Sequence, residues 1–408
     1  MSSANLTLML LVFSIFQAWS QNSIIPTCGF KELMSKSITK DISVLKKIED
    51  YERMVDTFIS KIDNNLSNRS IIRIPVVVHI VWNTPEENID EGMIYSQIEA
   101  LNRDFSAKNT DFNQIPTEFK NTFGHTDIEF CLADKDIFGN STNGIVRVKT
   151  ETTEIGATDN IFYTIRGGSN AWDANKYMNI WVANTGKFVT GYGTYPAMSI
   201  PEETGIVIHP KYFGANNSAR FGLGRVAVHE IGHYLGLLHT WADDSDCSTD
   251  DGINDTPPQE NYYTGCPTYP QNSCGYSNIF MNFMDYVDDK CMHLFTYEQT
   301  RKMRATLAVF RQGLSESNIS CSDNSFLKEP SFSLFPNPTW NEINIKIEDI
   351  EKLDNTFKIQ IYNNLGQLLI ESFLEKTNTI FKIDTSKLPV GVYIIRVAEI
   401  TKRFIKIK

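Results

Sequence analysis

The sequence predicts an α+β chain, a mixed sheet with helices followed by a small all-β sandwich. Short apolar runs bounded by Pro, Asn or Gly alternate with stretches of helical spacing through the first three quarters. Beyond Ser322 the helical spacing stops and only strands of period two remain. The 408 residues are enough for two or three domains. They divide as a leader over 1–20, a helical segment over 21–68, a main domain over 69–322, a linker over 323–330 and a terminal sandwich over 331–408.

In the main domain, Ile74-Pro75-Val76-Val77-Val78-His79-Ile80-Val81-Trp82 reads as a buried strand. His79 alternates into it as a core or surface histidine and not as a ligand. Met93 to Phe105 has helical spacing and covers the sheet. Asp127 to Ala133 and Tyr177 to Ala183 are further strands. Gly205-Ile206-Val207-Ile208-His209 is a strand, and as an edge strand it would pair with an extended peptide. Phe295 to Arg311 is the closing helix. The sandwich strands include Ile343 to Ile347, Phe357 to Tyr362 and Val392 to Val397, with turns at Asn363-Asn364-Leu365-Gly366 and Leu388-Pro389-Val390-Gly391. Ahead of the main domain, Ile38, Ile42, Leu45, Ile48, Val55, Ile59 and Ile62 keep helical spacing.

A formal net charge of -11 argues against nucleic acid or an anionic membrane as partner. Leu8 to Phe16 is nearly all apolar and Ala18-Trp19-Ser20 offers a small-residue cleavage site, the pattern of an export signal cut after Ser20. No Lys or Arg precedes that run, and it is shorter than the roughly 20 residues a membrane span needs. Seven cysteines in an exported chain leave one over. Cys247, Cys266, Cys274 and Cys291 bracket one loop and permit three pairings; Cys131 and Cys321, near the two ends of the main domain, are a further candidate pair. Cys28 remains.

The chemistry is written in His229-Glu230-Ile231-Gly232-His233-Tyr234-Leu235-Gly236-Leu237-Leu238-His239. His229 and His233 are four apart, so a helix stacks them on one face as two ligands of one metal. Glu230 sits beside the first ligand, placed to take a proton from water. A straight helix would carry His239 roughly 15 Å from His229, too far to share an ion. Gly236 removes the difficulty by ending the helix in a left-handed turn. Three nitrogens and an open position describe one catalytic zinc rather than a closed structural site.

With Asn282-Phe283-Met284-Asp285-Tyr286 following, the chain resembles the metzincin clan. Through His239-Thr240-Trp241 and Asp255-Thr256-Pro257-Pro258 it resembles the pappalysin family within that clan. The resemblance implies a metzincin-type domain, a twisted mixed sheet with active-site and backing helices, acting as a secreted, monomeric zinc endopeptidase on proteins or peptides. It implies Met284 as the floor of the site, Tyr286 as a hydroxyl that stabilises the oxyanion, and disulfides Cys247–Cys274 and Cys266–Cys291. Asp250, Asp251, Asp255 and Thr256 crowd hard oxygen ligands onto a loop as calcium prefers, and the family uses calcium there. Asp289, with Asp288 as second choice, matches the acidic position that selects arginine after the scissile bond.

Residues 21–68 then read as a prosegment. Cys28 either places a thiolate on the open zinc position, as in the cysteine switch of related proteases, or is a free structural thiol or an inter-chain bond. A protease that cuts before arginine would release itself at Asn68–Arg69, in the polar stretch Asn64 to Ser70. Phe335-Pro336-Asn337-Pro338, Ile361-Tyr362-Asn363-Asn364-Leu365-Gly366, Leu388-Pro389-Val390-Gly391-Val392-Tyr393 and the basic strand Lys402 to Lys408 resemble the C-terminal sorting domain of type IX secretion. That likeness implies outer-membrane secretion machinery as a partner and a secreted or cell-surface location. The rival reading is a surface adhesion protein on a vestigial protease scaffold.

Overall fold

The computed structural model describes residues 26–61, 70–321 and 331–407, apart from positions 199, 217, 219, 349, 351, 352, 354 and 399. The leader at 1–20, the Asn68–Arg69 junction and the linker at 323–330 lie outside the described residues.

The sheet is built on its longest strand. The β-branched run of Ile72–Trp82 is buried along most of its length, as a strand with sheet on both sides and cover on both faces must be. In chain order the sheet strands are β1 (Thr27–Cys28), β2 (Ile72–Trp82), β3 (Ile128–Leu132), β4 (Ile145–Lys149), β5 (Met178–Val182), β6 (Val189–Gly193) and β7 (Ile206–Ile208). Across the sheet the order is β1-β6-β7-β5-β2-β3, with β4 pairing the second half of β2. Every pair is parallel except β6 with β7.

This corrects one expectation. The strand Ile206–Ile208 is not an edge, because it lies between β5 and β6. The edge that precedes the active-site helix is Val189–Gly193, and in this form of the chain Thr27–Cys28 pairs with it.

Helix α3 (Glu91–Phe105) is started by Asp90, whose carboxylate accepts from Met93 N. Its apolar side, Ile94, Ile98, Leu101 and Phe105, joins strand residues and the helix Arg225–Tyr234 in the main core. On the other face Val81, Trp181 and Val207 pack under short turns carrying Ile155, Ile161 and Phe162. His79 is buried between Ser169 Oγ at 2.9 Å and Asn179 Oδ1 at 3.0 Å, which makes it a core residue. The closing helix runs Tyr297–Val309 and starts in a capping box of Thr296 and Gln299. Disulfides join Cys131 to Cys321, Cys247 to Cys274 and Cys266 to Cys291, and Cys28 is the free, buried thiol.

The helical spacing of the N-terminal segment resolves into two helices, α1 (Phe30–Lys40) and α2 (Ser43–Lys61). The chain breaks at Asp41 and Ile42, and Ile42 ends up exposed although it kept the apolar period. The residues that bury are Val44, Tyr51 and Val55, on the face of α2 turned to the closing helix. There Tyr51 shares a 2.7 Å hydrogen bond with Thr306, and Glu52 pairs with Lys302 at 2.8 Å.

Residues 331–407 form two antiparallel sheets. Ser331–Phe335, Glu342–Glu348 and Ile380–Asp384 make one; Leu368–Glu375, Thr356–Asn363, Gly391–Val397 and Ile400–Lys406 make the other. Alternate residues turn inward: Ile343 and Ile345 from the first sheet meet Phe357, Ile359, Ile361, Ile395 and Phe404 from the second.

Candidate metal centre and active site

The helix Arg225–Tyr234, α4, carries the first two histidines on a buried face. Its N-terminus is closed by Asp289, whose Oδ2 accepts from Leu223 N at 2.8 Å and Arg225 N at 3.2 Å. Its C-terminus ends in a Schellman turn: Leu237 N reaches Gly232 O and Gly236 N reaches His233 O, with Gly236 at φ +90°. That turn brings His239 back beneath the helix.

Each imidazole is held from behind. His229 Nδ1 donates to Phe283 O at 2.7 Å, His233 Nδ1 to Leu237 O at 2.8 Å and His239 Nδ1 to Asp243 Oδ1 at 2.7 Å. With the proton on Nδ1, each Nε2 presents a lone pair inward. The three Nε2 atoms form a triangle with sides of 3.1–3.2 Å. Nitrogens about 2.0–2.1 Å from a tetrahedral metal stand roughly 3.3 Å apart, so these donors fit such an ion. Burial, and then the neighbouring His239, pushes His229 down to about 3 and His233 well below the usual histidine range, leaving both rings neutral. The Cys28 thiol completes the set, since its Sγ and the histidine nitrogens all lie within 4.8 Å of one another. Among the described residues this is the one group of three or more such side chains gathered closely enough to hold a metal.

Glu230 is fully buried beside this cluster. Its Oε2 accepts from the Cys28 thiol at 3.4 Å, while Oε1 has no partner. Burial raises its carboxyl to about 8 in this closed form. Two residues missed by sequence reasoning let the helix approach so closely. A side chain on Gly193 would collide with the Glu230 carbonyl, and one on Gly191 would lie 3.3 Å from Glu230 Cγ. Alternate glycines in Thr190-Gly191-Tyr192-Gly193 were the available signal, because glycine within a strand marks a close approach of another backbone.

Met284 lies beneath the cluster, fully buried, in the space left by Gly232. The turn around it is fixed by Asn282 Oδ1, which accepts from Met284 N at 2.9 Å. Asp285 accepts from Gln259 Nε2 at 2.7 Å, Tyr263 N at 2.8 Å and Tyr286 N at 2.6 Å. The Tyr286 ring stands edge-on to His239 at 4.9 Å, and its hydroxyl donates to the Cys28 carbonyl at 3.4 Å. Burial, followed by the nearby Cys28, keeps that hydroxyl protonated. Phe30, also missed by sequence reasoning, stacks flat on His233 at 3.8 Å.

Asp289 lines a small pocket with His229, Glu230, Tyr286 and Val287. Its Oδ1 is buried without a partner. Asp288 is instead paired with Arg220 at 2.6 Å. Of the four residues read as calcium ligands, Asp251 and Thr256 are in contact, and the three aspartates do not draw together into one close group. Asp251 Oδ1 accepts from Thr256 Oγ1 at 2.7 Å, Asp255 Oδ2 accepts from Glu298 N at 3.0 Å, and Asp250 Oδ1 accepts from Gly252 N at 2.9 Å. These carboxylates serve local turns and a helix start, although Asp251 Oδ2 and Asp255 Oδ1 remain buried and unpartnered.

Such a histidine cluster on a mixed sheet defines the class, a metalloendopeptidase. The family model for the M43 peptidases, described as pregnancy-associated plasma protein-A, matches residues 166–308, and the secretion system C-terminal sorting domain matches residues 333–407. Solved structures of mirolysin from Tannerella forsythia are similar over the whole of their own domain. The mature form in complex with a cleaved peptide is 42% identical, with 61% of this chain and 97% of that chain covered at a TM-score of 0.58. A promirolysin mutant is 38% identical, covering 71% and 97% at a TM-score of 0.64. An extracellular metalloprotease of Verticillium alfalfae is 27% identical over 259 residues, 60% of this chain and 80% of its own. The chain belongs to the pappalysin family of metalloproteases and is directed to secretion or the cell surface by its sorting domain.

Gly232→Ala sets a methyl group against Met284 in a filled core and is expected to destabilise the protein by about 1–3 kcal/mol in denaturant unfolding. Adding Met284→Ala should return part of that loss; an additive double variant would contradict the contact.

Proposed function

We propose that the chain is a zinc endopeptidase held silent by its own N-terminal segment and selective for arginine after the scissile bond. The observation that carries this reading is the buried triangle of Nε2 atoms with the Cys28 thiol as fourth donor and Glu230 alongside. When bound there, zinc supplies Lewis acidity, polarising a peptide carbonyl and acidifying water at the open position. Glu230 takes the proton of the attacking water and delivers it to the amine that leaves as the C–N bond breaks. Tyr286 donates its hydroxyl to the substrate carbonyl oxygen, as it does to the Cys28 carbonyl. The edge strand Val189–Gly193 takes the substrate backbone once Thr27–Cys28 has left it.

Silencing then has two parts: the thiol fills the open position, and the strand and Phe30 cover the cleft. Removal of residues up to Asn68 frees both, with Arg69 as the new N-terminus. The rival adhesion reading needs a broken site, and no ligand, base or turn residue is missing from this chain.

Glu230→Ala should abolish peptide cleavage while the protein keeps one zinc per chain, and it should stop the appearance of the Arg69 N-terminus. Cleavage retained at full zinc content would contradict the base assignment. The same elemental analysis reads calcium, for which the orphaned Asp251 Oδ2 gives support: Asp251→Ala should lose calcium and keep zinc.

Arginine selectivity is carried by the free Asp289 Oδ1 in the pocket beside Glu230. Asp289→Asn keeps an acceptor for the start of α4 and removes the charge. It should lower kcat/KM by about 10–100-fold on peptides with arginine after the scissile bond, as loss of a charge-assisted bond does. Peptides with a neutral residue there should change little, and an equal loss on both would exclude the pocket role.

A further inference from the structure

The three imidazoles are not held alike. Those of His229 and His233 lie on α4 and donate to backbone carbonyls, so helix and turn already fix them. His239 lies beyond the helix, and its Nδ1 partner is a side chain, the carboxylate of Asp243 at 2.7 Å. That carboxylate is mostly shielded, with 18% of the side chain exposed, and the imidazole is wholly buried. Trp241 stacks on the His239 ring at 4.3 Å, which fixes the plane of the ring, while the hydrogen bond to Asp243 fixes its rotation within that plane.

The backbone at this point is unusual. Ala242 and Asp243 stand at φ +54° and +62°, the left-handed region where glycine is the unstrained choice. Two successive residues with side chains there are costly unless one of the side chains is required. Asp243 has such a requirement, because its left-handed turn is what folds the carboxylate back on to the ligand four residues earlier.

We propose that Asp243 is the positioning residue of the third metal ligand. It holds His239 as the Nδ1–H tautomer and aims Nε2 into the site. The inference rests on the reading that the three histidines hold the metal. It also joins the ligand to the prosegment, because Lys31 Nζ donates to the Asp243 carbonyl.

The test is zinc affinity of the full chain, measured by competition with a chromophoric chelator, for the wild type and for Asp243→Gly and Asp243→Asn. In Asp243→Gly the backbone relaxes and the anion is gone. Zinc should bind about 10–100-fold more weakly, while the apo-protein melts no lower than wild type. Asp243→Asn retains an oxygen acceptor for Nδ1–H and should recover much of the affinity. Cobalt-substituted samples give a second readout, since loss or rotation of the His239 nitrogen alters the visible absorption of the bound ion. Asp243→Gly with unchanged affinity and spectrum would overturn the proposal, and so would an Asn variant that loses as much as Gly. A Gly variant too unstable to purify would show that Asp243 acts on the fold and would overturn it equally. A wild type that binds no zinc would fail the metal reading itself, a separate outcome.

Discussion

The structure depends on three imidazoles whose protons all point away from one another. Histidines packed at 3.1–3.2 Å are tolerable because each Nδ1–H is satisfied outside the cluster, by Phe283 O, Leu237 O and Asp243. What remains inward is acceptor only, with no donor to satisfy it. A cluster built this way has unmet demand for a cation, and burial keeps protons off His229 and His233. The Schellman turn at Gly236, the turn around Met284 and the left-handed pair at Ala242 and Asp243 are the backbone conditions for that convergence.

The N-terminal segment covers the surfaces that the proposed mechanism assigns to a substrate. Thr27–Cys28 extends the sheet at the Val189–Gly193 edge, the Cys28 carbonyl takes the Tyr286 hydroxyl, and the Cys28 thiol lies on Glu230. Farther out, Tyr51 packs at Gly236 so closely that any side chain there would strike its hydroxyl. In the proposed silencing, inhibition is distributed along residues 26–61, with the thiol as its chemical part and α2 on the closing helix as its anchor.

Much of this was legible in the sequence, because local chemistry fixes local geometry. The four-residue spacing of His229 and His233, the glycine at 236 and the strand runs at 74–82 and 177–183 each carry their structure in a short window. The sandwich was legible for the same reason, since a period of two over seven residues needs no distant information. What was not legible depends on partners far along the chain. Whether Ile206–Ile208 is an edge depends on where Val189–Gly193 returns, and apolar spacing cannot state it. The break between α1 and α2 also defied periodicity, because Ile42 continues the apolar spacing yet is exposed where the chain turns. In the acidic loop a short window serves two ends: aspartates suit calcium, and they equally suit the turns and helix start that Asp250, Asp251 and Asp255 serve. Asp243 stood in an acidic run with nothing in the sequence to single it out.

The central claim is that one metal sits on three histidine nitrogens and is closed off by the Cys28 sulfur until the prosegment leaves. X-ray absorption at the zinc edge reads this directly, on the intact chain and on the processed enzyme. The account predicts three nitrogen scatterers at about 2.0–2.1 Å in both, with one sulfur at about 2.3 Å in the intact chain alone, replaced by oxygen after processing. An intact chain whose zinc shows no sulfur neighbour would contradict it.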